Sequence, residues 1–79
     1  MTEFAKIDAL SFEDREIVQQ VMAEAVPLMT DRQRECLRLY LDGMTQEQVG
    51  AELGIQQRVV SHHLANAMGV VSRVAANYV

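Results

Sequence analysis

The chain has little of what cross-links or interrupts a fold: its 79 residues include one cysteine, one proline and no tryptophan. A lone Cys36 excludes an internal disulfide and fits a reducing compartment, so a cytoplasmic location is expected. No apolar run approaches the roughly 20 residues of a membrane span, since the stretch VMAEAVPLM is interrupted by Glu24 and Pro27. Nor does a basic segment lead an apolar one at the N-terminus, and the expectation is a soluble chain without a targeting segment. Internal repeats, low-complexity tracts, linkers and the alternation that marks a strand are all missing.

What the chain does have is 49% hydrophobic residues, enough for one compact core and too few positions for two domains. A domain of this size buries only about 60% of the surface its unfolded chain exposes, so self-association or a partner would add noticeably to its stability. The net charge is −4, which taken alone argues against nucleic acid. The charges are unevenly placed, however. Residues 1–29 carry Lys6 and Arg15 against Glu3, Asp8, Glu13, Asp14, Glu16 and Glu24, whereas residues 30–79 carry five basic and five acidic side chains. Beyond Glu52 no acidic residue follows, and the cationic or titratable basic groups there are Arg58, His62, His63 and Arg73. Any surface that meets DNA belongs to that last stretch.

Helical punctuation divides the chain. Ser11 with Asp14 resembles a capping box with the shorter aspartate in place of Glu, and Ile17, Val18, Val21, Met22 and Ala25 then recur at helical spacing, predicting a helix over residues 12–26. Pro27 disfavours helix in the residue before it; Thr30 with Gln33 forms a second capping box ahead of Leu37, Tyr40 and Leu41, and Gly43 closes a helix over 31–42. Thr45 with Gln48 repeats the device, and Gly54 supplies the left-handed position that ends a short helix over 46–53. A longer pattern follows from about residue 56 or 57, with Val60, Leu64, Ala67 and Val71 on its apolar side. Phe4, Ile7 and Leu10 fit either a further short helix or a docked arm. The fold class expected is an all-α, small four- to five-helix domain containing a helix-turn-helix. It would be one domain over 1–79, with an acidic N-terminal helical extension (1–28), a helix-turn-helix core (29–68) and a C-terminal helical segment (69–79).

A short helix, a glycine turn and a second helix with apolar residues at fixed offsets constitute the helix-turn-helix arrangement, and Val49, Gly50, Leu53, Gly54, Ile55, Val60 and Leu64 fill its positions. Gly50 costs about 1 kcal/mol in a helix interior relative to alanine. Its presence is explained if the two helices cross closely there.

The stretch MTDRQRECLRLYLDGMTQEQVGAELGIQQRVVSHHL resembles the DNA-binding domain of LuxR-type response regulators and its relative, the promoter-reading C-terminal domain of bacterial sigma factors. The shared positions are Met29, Thr30 and Arg32; Gln33, Arg34 and Glu35 leading into Leu37 and Leu39; Gly43, Thr45, Glu47, Val49, Leu53, Gly54 and Ile55; and Val59, Val60, His63 and Leu64. Past Leu64, ANAMGVVSRV follows the sigma-type continuation better than the LuxR-type ending, which would need a gap. The branch stays open. The resemblance implies a recognition helix, here from Gln57 to about Met68, entering the major groove while the preceding helix braces it.

At ~100° per residue, setting Val60 inward turns Arg58, His62 and Ala65 outward, with Ser61 and Asn66 on the flanks. The expected DNA-binding residues are therefore Gln57, Arg58, Ser61, His62 and Asn66. Arg58 has the chemistry to pair with guanine or a phosphate, Asn66 with adenine or a phosphate, and Gln57 with either. Ser61 and His62 stand where LuxR-type members often carry Lys and Asn, which leaves the helix poor in charge. Ala65 and Gly69 form a smooth strip suited to a second helix or to close approach of DNA; alternatively Gly69 ends the helix.

The remaining reactive side chains have plainer readings. His62 and His63 are ~100° apart and have no acidic or cysteine companion, so no metal site is expected, and His63 is read as a partly buried structural residue. Cys36 is read as a small core residue, for no nearby base would activate it. Neither an enzyme activity nor a cofactor is expected. Glu13 to Glu16 are read as a solvated helix face, or as a place where a basic partner surface docks. Val70, Val71, Val74, Ala75, Tyr78 and Val79 exceed what a three-helix core needs, and suit either a dimer interface or packing on the N-terminal helix.

The resulting expectation is a small transcription regulator that binds operator or promoter double-stranded DNA through residues 57–68 as a homodimer. The alternative is an acidic protein-binding module that docks on RNA polymerase or another regulator.

Overall fold

A computed structural model of the protein describes the backbone of residues 12–78 and the side chains of residues 15–78. The Ser11–Asp14 capping box and the arm or helix expected for residues 1–10 lie outside the described residues. Four α-helices appear in order, α1 (Phe12–Ala25), α2 (Asp31–Leu41), α3 (Gln46–Leu53) and α4 (Gln57–Ala75), with short 3-10 turns at Val26–Leu28 and Ala76–Tyr78. No strand occurs among the described residues, so the chain is a small all-α helix-turn-helix domain.

Local chemistry accounts for the helix starts. Thr30 accepts from the Gln33 backbone N–H at 3.2 Å while the Thr30 N–H donates to Gln33 Oε1 at 3.1 Å. Thr45 and Gln48 repeat the exchange at 3.1 and 2.9 Å. Each box satisfies N–H groups that the first turn of a helix leaves unpaired. Pro27 occupies the first turn of the 3-10 segment, so α1 stops at Ala25 rather than Val26. Arg34 then secures the corner: its Nη1 donates to the carbonyls of Met29 at 2.9 Å and Val26 at 3.3 Å, and its Nη2 pairs with Asp31.

α4 is the axis of the fold, packed against α1, α2 and α3. The core joins Val21, Ala25 and Met29 to Cys36, Leu37 and Leu39, to Val49, and to Val60, Leu64, Ala67, Val70 and Val74 of α4. The buried stripe departs from the sequence pattern after Ala67, because Val70 and Val74 are buried while Val71 is only half-buried. The reason is a change of neighbour along α4. Its first half faces α3, as the Ser61 to Gln46 hydrogen bond shows, and its second half lies beside the corner after α1, where Leu28 shares a groove with Val70, Arg73, Val74 and Asn77. A hydrogen bond to Glu24 of α1 holds the Tyr78 phenol above its ordinary pKa, with desolvation and the Glu24 charge adding to it. Leu41 departs as well, being exposed, since α2 buries Cys36, Leu37 and Leu39 instead.

Two glycines differ in what they do. The sequence suggests a crossing of two helices at Gly50, but a Cβ there would stand 2.6 Å from the Ile55 carbonyl oxygen, so it is the backbone of the turn that presses on this position. That turn is closed by the Ile55 N–H donating to the Gly50 carbonyl at 2.9 Å and by Gly54 at φ 70°. Gly69 has open space around it and does not end the helix, which passes through to Ala75. Alanine should therefore act oppositely at the two sites in urea unfolding. Gly69→Ala should stabilise by about 0.5–1 kcal/mol, and Gly50→Ala should destabilise by about 1–3 kcal/mol, because the clash outweighs the gain in helix propensity.

Candidate nucleic-acid interface

The outer side of α4 begins at an N-terminus unlike those of α2 and α3. Gln56 occupies its N-cap without a side-chain hydrogen bond to the helix, and the first turn holds no acidic residue, whereas α2 has Asp31 and α3 has Glu47 there. Glutamine is a poor N-cap, and its amide is used otherwise: Gln56 Oε1 accepts from Arg58 Nε at 3.0 Å. Sequence reasoning missed Gln56; the signal was a residue in the cap position with no aptitude for capping. It holds the base of the Arg58 guanidinium while leaving both terminal nitrogens available.

Four of the five expected DNA-binding side chains, Gln57, Arg58, His62 and Asn66, are exposed. Arg58, His62 and Asn66 follow one another at intervals of four, so they line one side of the helix over two turns. Asn66 Nδ2 lies 3.2 Å from His62 Nε2, which joins the second and third of them. Ser61 stands apart. It is half-buried, and its hydroxyl donates to Gln46 Oε1 at the start of α3, so it braces the two helices of the motif instead of facing outward. Gln46 was not anticipated either, since a polar residue in a first helical turn gives no hint of a partner 15 positions away.

The electrostatics of this side follow from its neighbours. Arg32, Arg34 and Arg38 of α2 are each paired with a carboxylate, of Glu35, Asp31 and Asp42 respectively. Arg58 and Arg73 of α4 have no such partner on their own helix, because α4 contains no Asp or Glu. The half-buried His63 sits with its ring 6.3 Å from that of His62, and no cluster able to hold a metal is found among the described residues. Cys36 is fully buried within α2, and desolvation pushes its thiol above the ordinary value, with Arg32 lowering it and Glu35 raising it. A thiol so placed stays protonated at neutral pH and is a core residue rather than a nucleophile. No helix of the described residues is long and apolar enough to cross a membrane.

The Ser61 brace and the exposed side chains make separable contributions. Ser61→Ala should lower the unfolding free energy by about 0.5–1.5 kcal/mol through the lost Gln46 bond, while Gln57→Ala should leave it within about 0.5 kcal/mol of the parent. Thermal or urea unfolding followed by circular dichroism measures both.

Comparison with known proteins agrees with this geometry. The sequence profile described as "Bacterial regulatory proteins, luxR family" matches residues 27–77, from the corner before α2 almost to the end of α4 and its 3-10 turn. The spore germination protein GerE of Bacillus subtilis (strain 168) is 36% identical over 45 residues, covering 57% of this chain and 61% of that protein. The match thus leaves more than a third of that relative's length uncovered. No solved structure matches. With the profile covering well over half of its residues and the helix-turn-helix in place, the chain belongs to the luxR family of bacterial regulatory proteins, a family of DNA-binding transcription regulators rather than of enzymes.

Proposed function

We propose that the chain is a small transcription regulator of the cytoplasm that reads operator or promoter DNA by laying residues 57–68 of α4 in the major groove. The observation that carries this reading is the exposed row Arg58, His62 and Asn66 on a helix without a single carboxylate. Arg58, steadied at Nε by Gln56, is arranged to approach guanine O6 and N7 or a phosphate. Asn66 has an amide suited to adenine, and Gln57, at the uncapped start of the helix, lies where backbone N–H groups favour a phosphate. α3 is the brace, held to α4 by Gln46 and Ser61.

Affinity is the weak point of one copy. Releasing counterions takes cations, and α4 offers Arg58 and Arg73 in a chain whose net charge is −4. Useful occupancy therefore calls for two copies on adjacent half-sites, and a homodimer is part of the proposal. Part of the C-terminal apolar surface is already used within the chain, since Val70 and Val74 are buried, which leaves Val71, Ala75 and Tyr78 as the more accessible residues of that end. A second reading, docking of an acidic face on RNA polymerase or another regulator, draws on the excess of acidic residues over positions 1–29.

Fluorescence anisotropy with a random-sequence duplex at low and moderate salt separates the two. Binding should weaken with salt at a slope of about −2 per protomer in log K against log salt, as expected for two cations. Arg58→Ala should cost about 1–3 kcal/mol of binding with an unchanged thermal midpoint. Unaltered affinity in the folded variant would move the contact away from α4. Absence of binding at low salt, together with one co-purifying protein, would favour docking.

A further inference from the structure

The Asn66 to His62 contact has a consequence for what the helix reads. An asparagine amide recognises adenine through its outer edge, where the oxygen accepts from N6 and one N–H donates to N7. The other N–H of the same nitrogen points back along the side chain, and in this protein that nitrogen lies 3.2 Å from His62 Nε2. For the contact to be a hydrogen bond, Nε2 must be the unprotonated nitrogen of a neutral ring, with its proton on Nδ1. His62 then fixes which end of the Asn66 edge is donor and which is acceptor.

Protonation of His62 reverses that order. A proton added to Nε2 turns the acceptor into a donor, and two donors cannot face each other at this distance. The amide answers by turning half a revolution about its Cβ–Cγ bond, so that Oδ1 accepts from the new Nε2–H. Donor and acceptor on the outward edge thereby exchange places, and a base matched to the first arrangement meets donor against donor and acceptor against acceptor. We propose that His62 and Asn66 act as one proton-dependent reading unit, in which neutral His62 sets Asn66 for adenine and protonated His62 cancels that preference. The proposal rests on the reading of α4 as the helix that enters the groove.

The surroundings of the pair are as follows on each helix. Both residues are exposed, and the charged or titratable groups near His62 on its own helix are Arg58 one turn earlier and His63 beside it. α3 bears Glu47 and Glu52, α2 bears Asp31 and Glu35 with Asp42 at its C-cap, all three in pairs with arginines of α2, and α1 bears Arg15, Glu16 and Glu24. Among the described residues no hydrogen bond or ion pair joins any of these carboxylates to His62.

The test is selection of duplexes from a random-sequence pool by the intact protein at about pH 8 and about pH 5.5, followed by affinity measurements on the enriched duplex and its single-base variants. At the higher pH one position should favour adenine by about fivefold or more, and at the lower pH that preference should fall below about twofold. Overall affinity at low salt should move the other way, since protonated His62 adds positive charge, so the ratio between bases and not the affinity itself is the readout. His62→Gln, whose amide oxygen accepts at either pH, should keep the adenine preference at both. Asn66→Ala should lack it at both while retaining the parent circular dichroism spectrum. Base preferences that are the same at the two pH values, or a pH response that survives His62→Gln, would overturn the reading unit and leave the DNA-binding function standing. No enriched sequence at either pH would overturn both.

Discussion

Ile55 places its carbonyl oxygen where a side chain on residue 50 would begin, 2.6 Å from the position of a Cβ, and the course of α4 depends on that approach. The turn between α3 and α4 is only as tight as Gly50 permits. Gly54 contributes the left-handed residue and Ile55 returns a hydrogen bond to the Gly50 carbonyl, so three backbone features of one short turn fix how α4 leaves α3. Val49 and Val60, both fully buried, then join the same core, and the rotation that buries Val60 leaves Arg58, His62 and Asn66 exposed. Ser61 and Gln46 add a polar strut across the motif. The proposed reading face is thus a product of backbone geometry first and side-chain chemistry second.

Charge is distributed so that an acidic chain can still present a surface acceptable to phosphate. The arginines of α2 are occupied by carboxylates of the same helix or of its C-cap, and the acidic excess lies in residues 1–29. α4 contributes no negative charge. Screening confines a charge to roughly a Debye length, about 8 Å at physiological salt, so what a groove experiences is the local composition of α4 more than the net charge of the chain. The cost of this economy is a small electrostatic contribution per copy, and that is the ground on which pairing of two copies is proposed.

The parts of this fold that are decided within a few residues were legible in the sequence. The boxes at Thr30 and Thr45, the left-handed Gly54 and the limits of α3 are local matters, and each is found where hydrogen-bond chemistry puts it. The features that depend on which helix lies alongside were not. Periodicity alone continues the stripe from Ala67 to Val71, whereas the corner after α1 draws Val70 and Val74 inward. Gly69 looks like a stop to a rule based on propensity, yet a helix packed along its length tolerates a glycine. In the candidate interface, exposure of Arg58 and His62 followed from angular position, but of the two flanking residues only Asn66 is exposed, and the inward bond of Ser61 and the support that Gln56 gives Arg58 require the partner's placement in space.

The central claim is that α4 is the surface that meets DNA, and mapping the contact by nuclear magnetic resonance on the isotope-labelled protein tests it most directly. On adding a duplex that the protein binds, the account predicts the largest amide shift changes along the first half of α4, at Gln57, Arg58, His62 and Asn66, with the exposed positions Arg38 and Leu41 of α2 and Glu24 of α1 little changed. Shift changes concentrated on α1 or on the outer face of α2, with the first half of α4 unaffected, would contradict it.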